Sequence, residues 1–332
     1  MDDRIDLISA GHICLDLTPQ FCHGAGDRAF HDLLRPGSLV VVDPATVSSG
    51  GGAANVGLAA RRIGLTVALM GKCGDDLLGR TLLEYLRQVS PDCAAGMRVS
   101  PGEHTSYTVV LAPPGVDRAF LHCPGANDTF AADDVDLDMV AKARAFYFGY
   151  PPLMARMYAG KGEELAELLG RVKARGVTTA LDMALPDPKG AAGQADWPGI
   201  LAAALPNVDL FLPSVEELLF MLGLDRYERM IAAGDILDQL GPELLGDLAR
   251  DCIEMGAAVV MIKCGRHGLY VRSATAGRIR SAGRGAGDPA GWADMEHFRP
   301  AYQVDGVASA TGAGDSAVAG FLAGMLHGVD RA

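Results

Sequence analysis

With 332 residues and 49% hydrophobic content, the chain can bury a large α/β core, arranged as two domains or as one large domain with an insertion. A net charge of −12 argues against a nucleic-acid partner, which clustered Lys and Arg would draw, and requires a local basic site for any anionic substrate. Seven cysteines with no CxxC or zinc spacing suit free thiols in a reducing compartment; with no basic leader and no run of about 18 apolar residues, a cytoplasmic location without membrane partners is expected.

In chain order, short apolar runs at 5–10, 66–70, 145–148, 177–181, 208–212 and 257–262 predict strands, and helical patterns fall between them at 53–63, 78–89, 163–175, 214–222 and 244–255. This alternation predicts an α/β fold, a mostly parallel sheet with helices on both faces and ligands at the carboxyl ends of the strands. Two pieces break the rhythm: 15–49, with 38–42 as its β-rich run, and 104–123, where TSYTVVLA and DRAFLHC flank PPGVD like a hairpin. Together they are expected to form a small β lid that excludes water, leaving 1–14, 50–103 and 124–332 as the main α/β domain.

Glycine turns carry the chemistry. SSGGGAANVGLAARRIG, at 48–64, sets Gly50, Gly51 and Gly52 before a helix with Asn55 one turn in, so the backbone can approach a ligand and the Asn55 amide can meet a hydroxyl. It is not a dinucleotide fingerprint, whose third glycine would fall on Asn55. In GKCGDDLLG, at 71–79, Asp75 and Asp76 are expected in a first helical turn, where they favour the helix dipole. FLPSVEELLFM opens a helix with Glu216 and Glu217, carboxylates that serve the dipole or hold magnesium through water. MIKCGRHGLYV places Gly265 and Gly268 between two strands. GAGD occurs at 285–288 and again at 312–315, and only the second copy is followed by a buried apolar helix, with Ala317, Phe321 and Met325 four apart beside Val318 and Leu322. Taken alone, Asp315 reads as a helix cap or as a catalytic carboxylate.

In this order, GGGAANVG with GKCGDDLLG, and ATGAGDSAVAGF near the end, resemble the two signatures of the ribokinase-like (PfkB) family of sugar and nucleoside kinases. The resemblance spans nearly the whole chain, with PGAN, PSVEE and KCGRHG between. It implies transfer of the γ-phosphoryl group of ATP to a hydroxyl of a sugar, sugar acid or nucleoside. Asp315 would be the general base, and the amides of Gly312, Ala313, Gly314 and Asp315 an anion hole. By the same resemblance Asp16, Gly50, Gly51 and Asn55 would hold substrate hydroxyls. Thr311, Lys263, Gly265 and Gly268 would lie along ATP, and Glu217 would organise Mg2+ through water. The family also admits a homodimer through the lid.

Three departures bear on this reading. Ser309 and Ala310 replace an Asp and a Thr ahead of TGAGD, which leaves a K+ site open; Ser214 stands for the Asn of an NxxE motif. The chain runs 17 residues beyond Asp315, where family members continue with helices that enclose the nucleotide base, which leaves ATP affinity open. The alternative is a sugar- or nucleoside-binding sensor that keeps the fold without transfer; retention of Asp315 favours transfer.

Overall fold

The computed structural model describes residues 4–21, 35–37, 39–113, 118–286, 289–304 and 312–329. Its main sheet contains β1 (Ile5–Gly11), β4 (Val67–Gly74), β5 (Gly96–Ser100), β8 (Ala143–Gly149), β9 (Thr178–Asp182), β10 (Leu210–Phe211), β11 (Val259–Lys263), β12 (Gly268–Ser273) and β13 (Glu296–Pro300). The spatial order is β13-β12-β11-β10-β9-β8-β1-β4-β5. Pairing is parallel from β11 through to β5, and only β12 and β13 run antiparallel at one edge. Every residue of β4 and β9 is buried, which explains why these strands read as continuous apolar runs rather than alternating ones.

Helices cover both faces, as the alternation predicts. Among those of eight residues or more, α1 (Gly52–Arg62), α2 (Leu77–Val89) and α8 (Ala313–His327) share one core with the sheet. On the other face, α3 (Glu163–Lys173), α4 (Trp197–Ala204), α5 (Val215–Leu222), α6 (Leu224–Ala233) and α7 (Pro242–Glu254) build the second core around Phe146, Phe148 and Trp197. Helix α8 buries Val318, Leu322 and Met325 with Ala319, Ala323 and Leu326, while Phe321 sits at the edge of that face against Trp292. Asp76 departs from its expected place: it is the N-cap of α2 and accepts from the Gly79 amide at 2.7 Å and the Thr105 hydroxyl at 2.6 Å, tying the helix start to the chain that enters the smaller sheet.

That smaller sheet has the order β3-β2-β6-β7, from β2 (Cys14–Phe21), β3 (Val42–Gly50), β6 (Tyr107–Leu111) and β7 (Ala119–Cys123). The two irregular sequence pieces thus pair with each other, β2 with β3 antiparallel and β2 with β6 parallel. The β-rich run expected at 38–42 is corrected: the strand starts where that run ends, at Val42, and continues to Gly50. Its extent follows the partner, with Phe21 opposite Val42 and Cys14 opposite Gly50, and Pro44 is tolerated because β3 lies at the sheet's edge. Part of the expected PPGVD turn lies outside the described residues. Among the described residues, no helix is long and apolar enough to cross a membrane.

Candidate active site

The carboxyl ends of β1, β8, β9 and β11 meet the amino-terminal ends of α1 and α8. At this junction Gly11, at φ 111, approaches Gly149 so closely that a Cβ would lie 2.5 Å from the Gly149 carbonyl oxygen. Only glycine permits both the conformation and the approach.

Gly312, in the left-handed region at φ 72, begins α8 without any side-chain cap, so the capping role for Asp315 is not realised. Asp315 lies inside the first turn, buried, with its carboxylate turned toward two side-chain donors. Asn55 Nδ2 donates to Oδ2 at 3.0 Å and the Tyr150 hydroxyl donates to Oδ1 at 2.5 Å. Among the described residues, a Cβ at Gly312 would meet nothing within 4 Å and one at Gly314 only Lys263 Cδ at 3.6 Å, and Gly312 to Asp315 line a cleft. Free amides, a positive dipole end and a carboxylate are thereby gathered in one turn.

The glycine turn ahead of α1 is packed residue by residue. A Cβ on Gly50 would lie 2.2 Å from Asp16 Oδ2, one on Gly51 (φ 86) 2.5 Å from the His12 carbonyl, and one on Gly52 3.0 Å from Tyr150 Cδ1. Burial pushes the Asp16 carboxyl up, opposed by hydrogen bonds from Cys14 and Thr108; the Cys14 thiol lies 3.3 Å from Asp16 Oδ1. His12 Nε2 lies 3.3 Å from His122 Nε2 on the smaller sheet, and His122 Nδ1 lies 3.0 Å from the Thr108 hydroxyl. Burial, helped by His122, drives His12 down to about 3, so it is neutral at physiological pH. Its Nδ1 is buried with no hydrogen-bond partner among the described residues.

Beyond Asp315 opens a cleft of about 740 Å³, lined by Tyr150, Glu217, Lys263, Gly265 and Gly268 together with Gly312 to Asp315. Asp16, Gly50, Gly51 and Asn55 lie outside its wall; Asn55 reaches it through Asp315. Lys263 Nζ donates to Asp182 Oδ1 at 2.6 Å, and the Tyr147 hydroxyl donates to Asp182 Oδ2 at 3.2 Å. Burial works against the Lys263 ammonium, but Asp182, Glu217 and Asp315 outweigh it and hold its pKa above the ordinary lysine value. Burial likewise pushes Asp182 up to about 7, against the pull of Lys263.

Glu217 also serves its helix: its Oε2 accepts from the Ser214 amide at 2.6 Å and the Ser214 hydroxyl accepts from the Glu217 amide at 3.2 Å, a capping box. Gly268, at φ 115, is required by its neighbour strand, since a Cβ would lie 2.0 Å from the Arg299 carbonyl. Gly265, at φ 52, abuts Leu237. Among the described residues no group of three His, Cys, Asp or Glu gathers as a metal site. What fits a magnesium nucleotide is the combination of open glycine amides with carboxylates in excess of Lys263. Thr311, Ser309, Ala310 and Asp288 lie outside the described residues; after Asp288, Pro289–Trp292 makes only a single helical turn.

Tyr150, His12, His122 and Asp182 were not legible as site residues. Asp182 ends an apolar strand, a position at which α/β sheets place ligands, and that signal was available. Tyr150, in GYPP after a strand, reads as a turn.

A family model described as pfkB family carbohydrate kinase matches residues 26–332. The chain is 28% identical over 299 residues to a protein of Thermoproteus tenax named 2-dehydro-3-deoxygluconokinase, covering 89% of this chain and 78% of that one. It is 33% identical over 115 residues to fructokinase-1 of Zea mays, covering 34% of this chain and 35% of that one. A solved structure of Arabidopsis thaliana ribokinase complexed with ribose and ATP matches with a TM-score of 0.65 at 18% identity, over 99% of this chain and 88% of that one. At that identity the likeness speaks for the fold, a ribokinase-like α/β architecture with a smaller sheet.

Proposed function

The chain belongs to the pfkB family of carbohydrate kinases, and from that premise we propose that it transfers the γ-phosphoryl group of ATP to a hydroxyl of a sugar or sugar acid. The observation that carries the reading is the placement of Asp315: a buried carboxylate in the first turn of a helix whose glycine amides face an open cleft. Asp315 takes the proton of the acceptor hydroxyl, and the amides from Gly312 to Asp315 bind the charge that develops on the transferred group. ATP, as magnesium complex, supplies the phosphoryl group when bound. Gly265, Gly268 and Lys263 would hold its phosphates, with Thr311, outside the described residues, assigned beside them, and Glu217 would hold the magnesium through water. Asp16, Gly50, Gly51 and Asn55 hold the acceptor.

The smaller sheet closes over the acceptor as a lid formed by 15–49 and 104–123. Its exposed Val47, Phe120 and Leu121 suit a homodimer through that surface, and a cytoplasmic setting suits the free thiols of Cys14, Cys73, Cys93, Cys123, Cys252 and Cys264. A nucleoside acceptor is a weaker reading, because the named relatives act on sugars or sugar acids.

The test is ADP release from Mg-ATP against neutral sugars, sugar acids and nucleosides. Acceptor-dependent ADP is expected with one of the first two classes. Silence across the panel from folded protein that binds a sugar would replace the kinase by a sensor.

A further inference from the structure

Among the described non-glycine residues, three have positive φ: Tyr150 at 67, Lys161 at 59 and Asp294 at 51. Lys161 and Asp294 are exposed, whereas Tyr150 is partly buried at the end of β8, in the left-handed region at ψ 46. A side chain held there is strained relative to the right-handed region. The backbone is pinned on both sides: the Tyr150 amide donates to the Asp182 carbonyl at 3.2 Å, and the Tyr150 carbonyl accepts from Leu153 at 2.9 Å. Pro151 and Pro152 stiffen the exit.

The strain aims the side chain. From this position the ring passes over Gly52, where a Cβ would stand 3.0 Å from Cδ1, and the hydroxyl reaches Asp315 Oδ1 at 2.5 Å. A buried phenol commonly finds some acceptor, so a hydrogen bond alone proves little. Here the bond ends on the carboxylate in the first turn of α8, and the ring fills the space above the glycine turn that leads into α1. Burial and the Asp315 charge hold the Tyr150 phenol well above the ordinary tyrosine range, so it stays a donor.

We propose that Tyr150 is a positioning residue for phosphoryl transfer: its hydroxyl, with the Asn55 amide, fixes the orientation of the Asp315 carboxylate. The inference rests on the reading of Asp315 as general base. Each Asp315 oxygen receives one donor and keeps further acceptor capacity, so a substrate hydroxyl can still donate to the oriented carboxylate.

The experiment compares wild type, Tyr150→Phe, Tyr150→Asn and Asp315→Asn by steady-state kinetics, using whichever of D-ribose, D-fructose or 2-dehydro-3-deoxy-D-gluconate gives the fastest ADP release. Tyr150→Phe keeps the ring over Gly52; Tyr150→Asn tolerates the left-handed backbone but cannot reach Asp315. In both variants kcat should fall about tenfold, the loss of one hydrogen bond to a charged group, with KM for ATP unchanged. Wild-type kcat in Tyr150→Phe, with Asp315→Asn inactive, would leave the base assignment standing and overturn the role of Tyr150. Transfer that survives in Asp315→Asn would remove the base itself and, with it, the inference.

Discussion

Asn55 Nδ2 donates to Asp315 Oδ2 at 3.0 Å, joining the first turn of α1 to the first turn of α8 across 260 positions of sequence. Helices α1 and α8 share one hydrophobic core, with Ala53, Val56, Val318 and Leu322 in it. The glycine turn that precedes α1 and the amides that open α8 are therefore tied to each other through one hydrogen bond and one core. That coupling is what an in-line transfer requires, since a small displacement between acceptor and phosphoryl site costs rate steeply.

Asp315→Asn should abolish transfer, by roughly 10²–10⁴-fold, the usual worth of a general base. The substituted amide still offers an acceptor to Tyr150, so far-UV circular dichroism should be unchanged. Asp288→Asn, in the other GAGD copy, should turn over at the wild-type rate. Comparable loss in both variants would dissolve the distinction between the copies.

Gly50→Ala separates acceptor from nucleotide binding. Its Cβ would fall 2.2 Å from Asp16 Oδ2 and 2.5 Å from Asp16 Cγ, so the carboxylate must swing away while the backbone is unstrained. If Asp16 holds an acceptor hydroxyl, the acceptor KM should rise roughly ten- to hundredfold, the worth of a hydrogen bond to a charged group. KM for ATP should not move. A parallel rise in both constants would show that Asp16 is not confined to the acceptor side.

The architecture was legible because the central strands are buried on both faces and announce themselves as apolar runs, β4 and β9 most plainly. Gly312, Asp315 and Asn55 could be singled out because each lies in or just after a glycine turn that opens an apolar helix, and the structure brings Asn55 and Asp315 into contact. The start of β3 was misjudged since strand extent depends on the pairing partner, which local alternation does not reveal. Tyr150 stayed hidden for a related reason: its reach to Asp315 depends on φ 67, which the pinned backbone imposes and residue type opposes. His12 and His122 meet across 110 positions only because the smaller sheet folds back over the strand ends.

Lys263→Met should destabilise the protein by about 3–5 kcal/mol, because it strands a buried carboxylate without its partner. Asp182 has no exposed surface, and its other side-chain donor is the Tyr147 hydroxyl. The double variant Lys263→Met with Asp182→Leu should recover most of that loss in thermal unfolding, since no unpaired charge remains. It should stay slow in transfer if Lys263 also meets a phosphate. A double variant no more stable than Lys263→Met would mean that the ion pair is not what anchors this part of the cleft.

Stability should also depend on pH through His12. Its folded-state value lies near 3, set by burial and by His122, against 6.5 for an unperturbed histidine. Between those values the unfolded chain binds a proton that the folded chain refuses, so the contribution is complete above 6.5 and is lost as pH falls toward 3, by up to about 1.4 kcal/mol per pH unit. His122, also lowered mainly by burial, adds in the same sense. Asp16 and Asp182 act oppositely: burial raises both, so on acidification the folded chain takes up their protons before the unfolded chain does. The net slope mixes these terms, and the informative quantity is a difference between proteins. Urea unfolding at pH 7 and pH 5 should show a smaller loss of stability for His12→Gln than for wild type. Equal losses would mean that His12 is protonated in the folded protein and that its contact with His122 opens in acid.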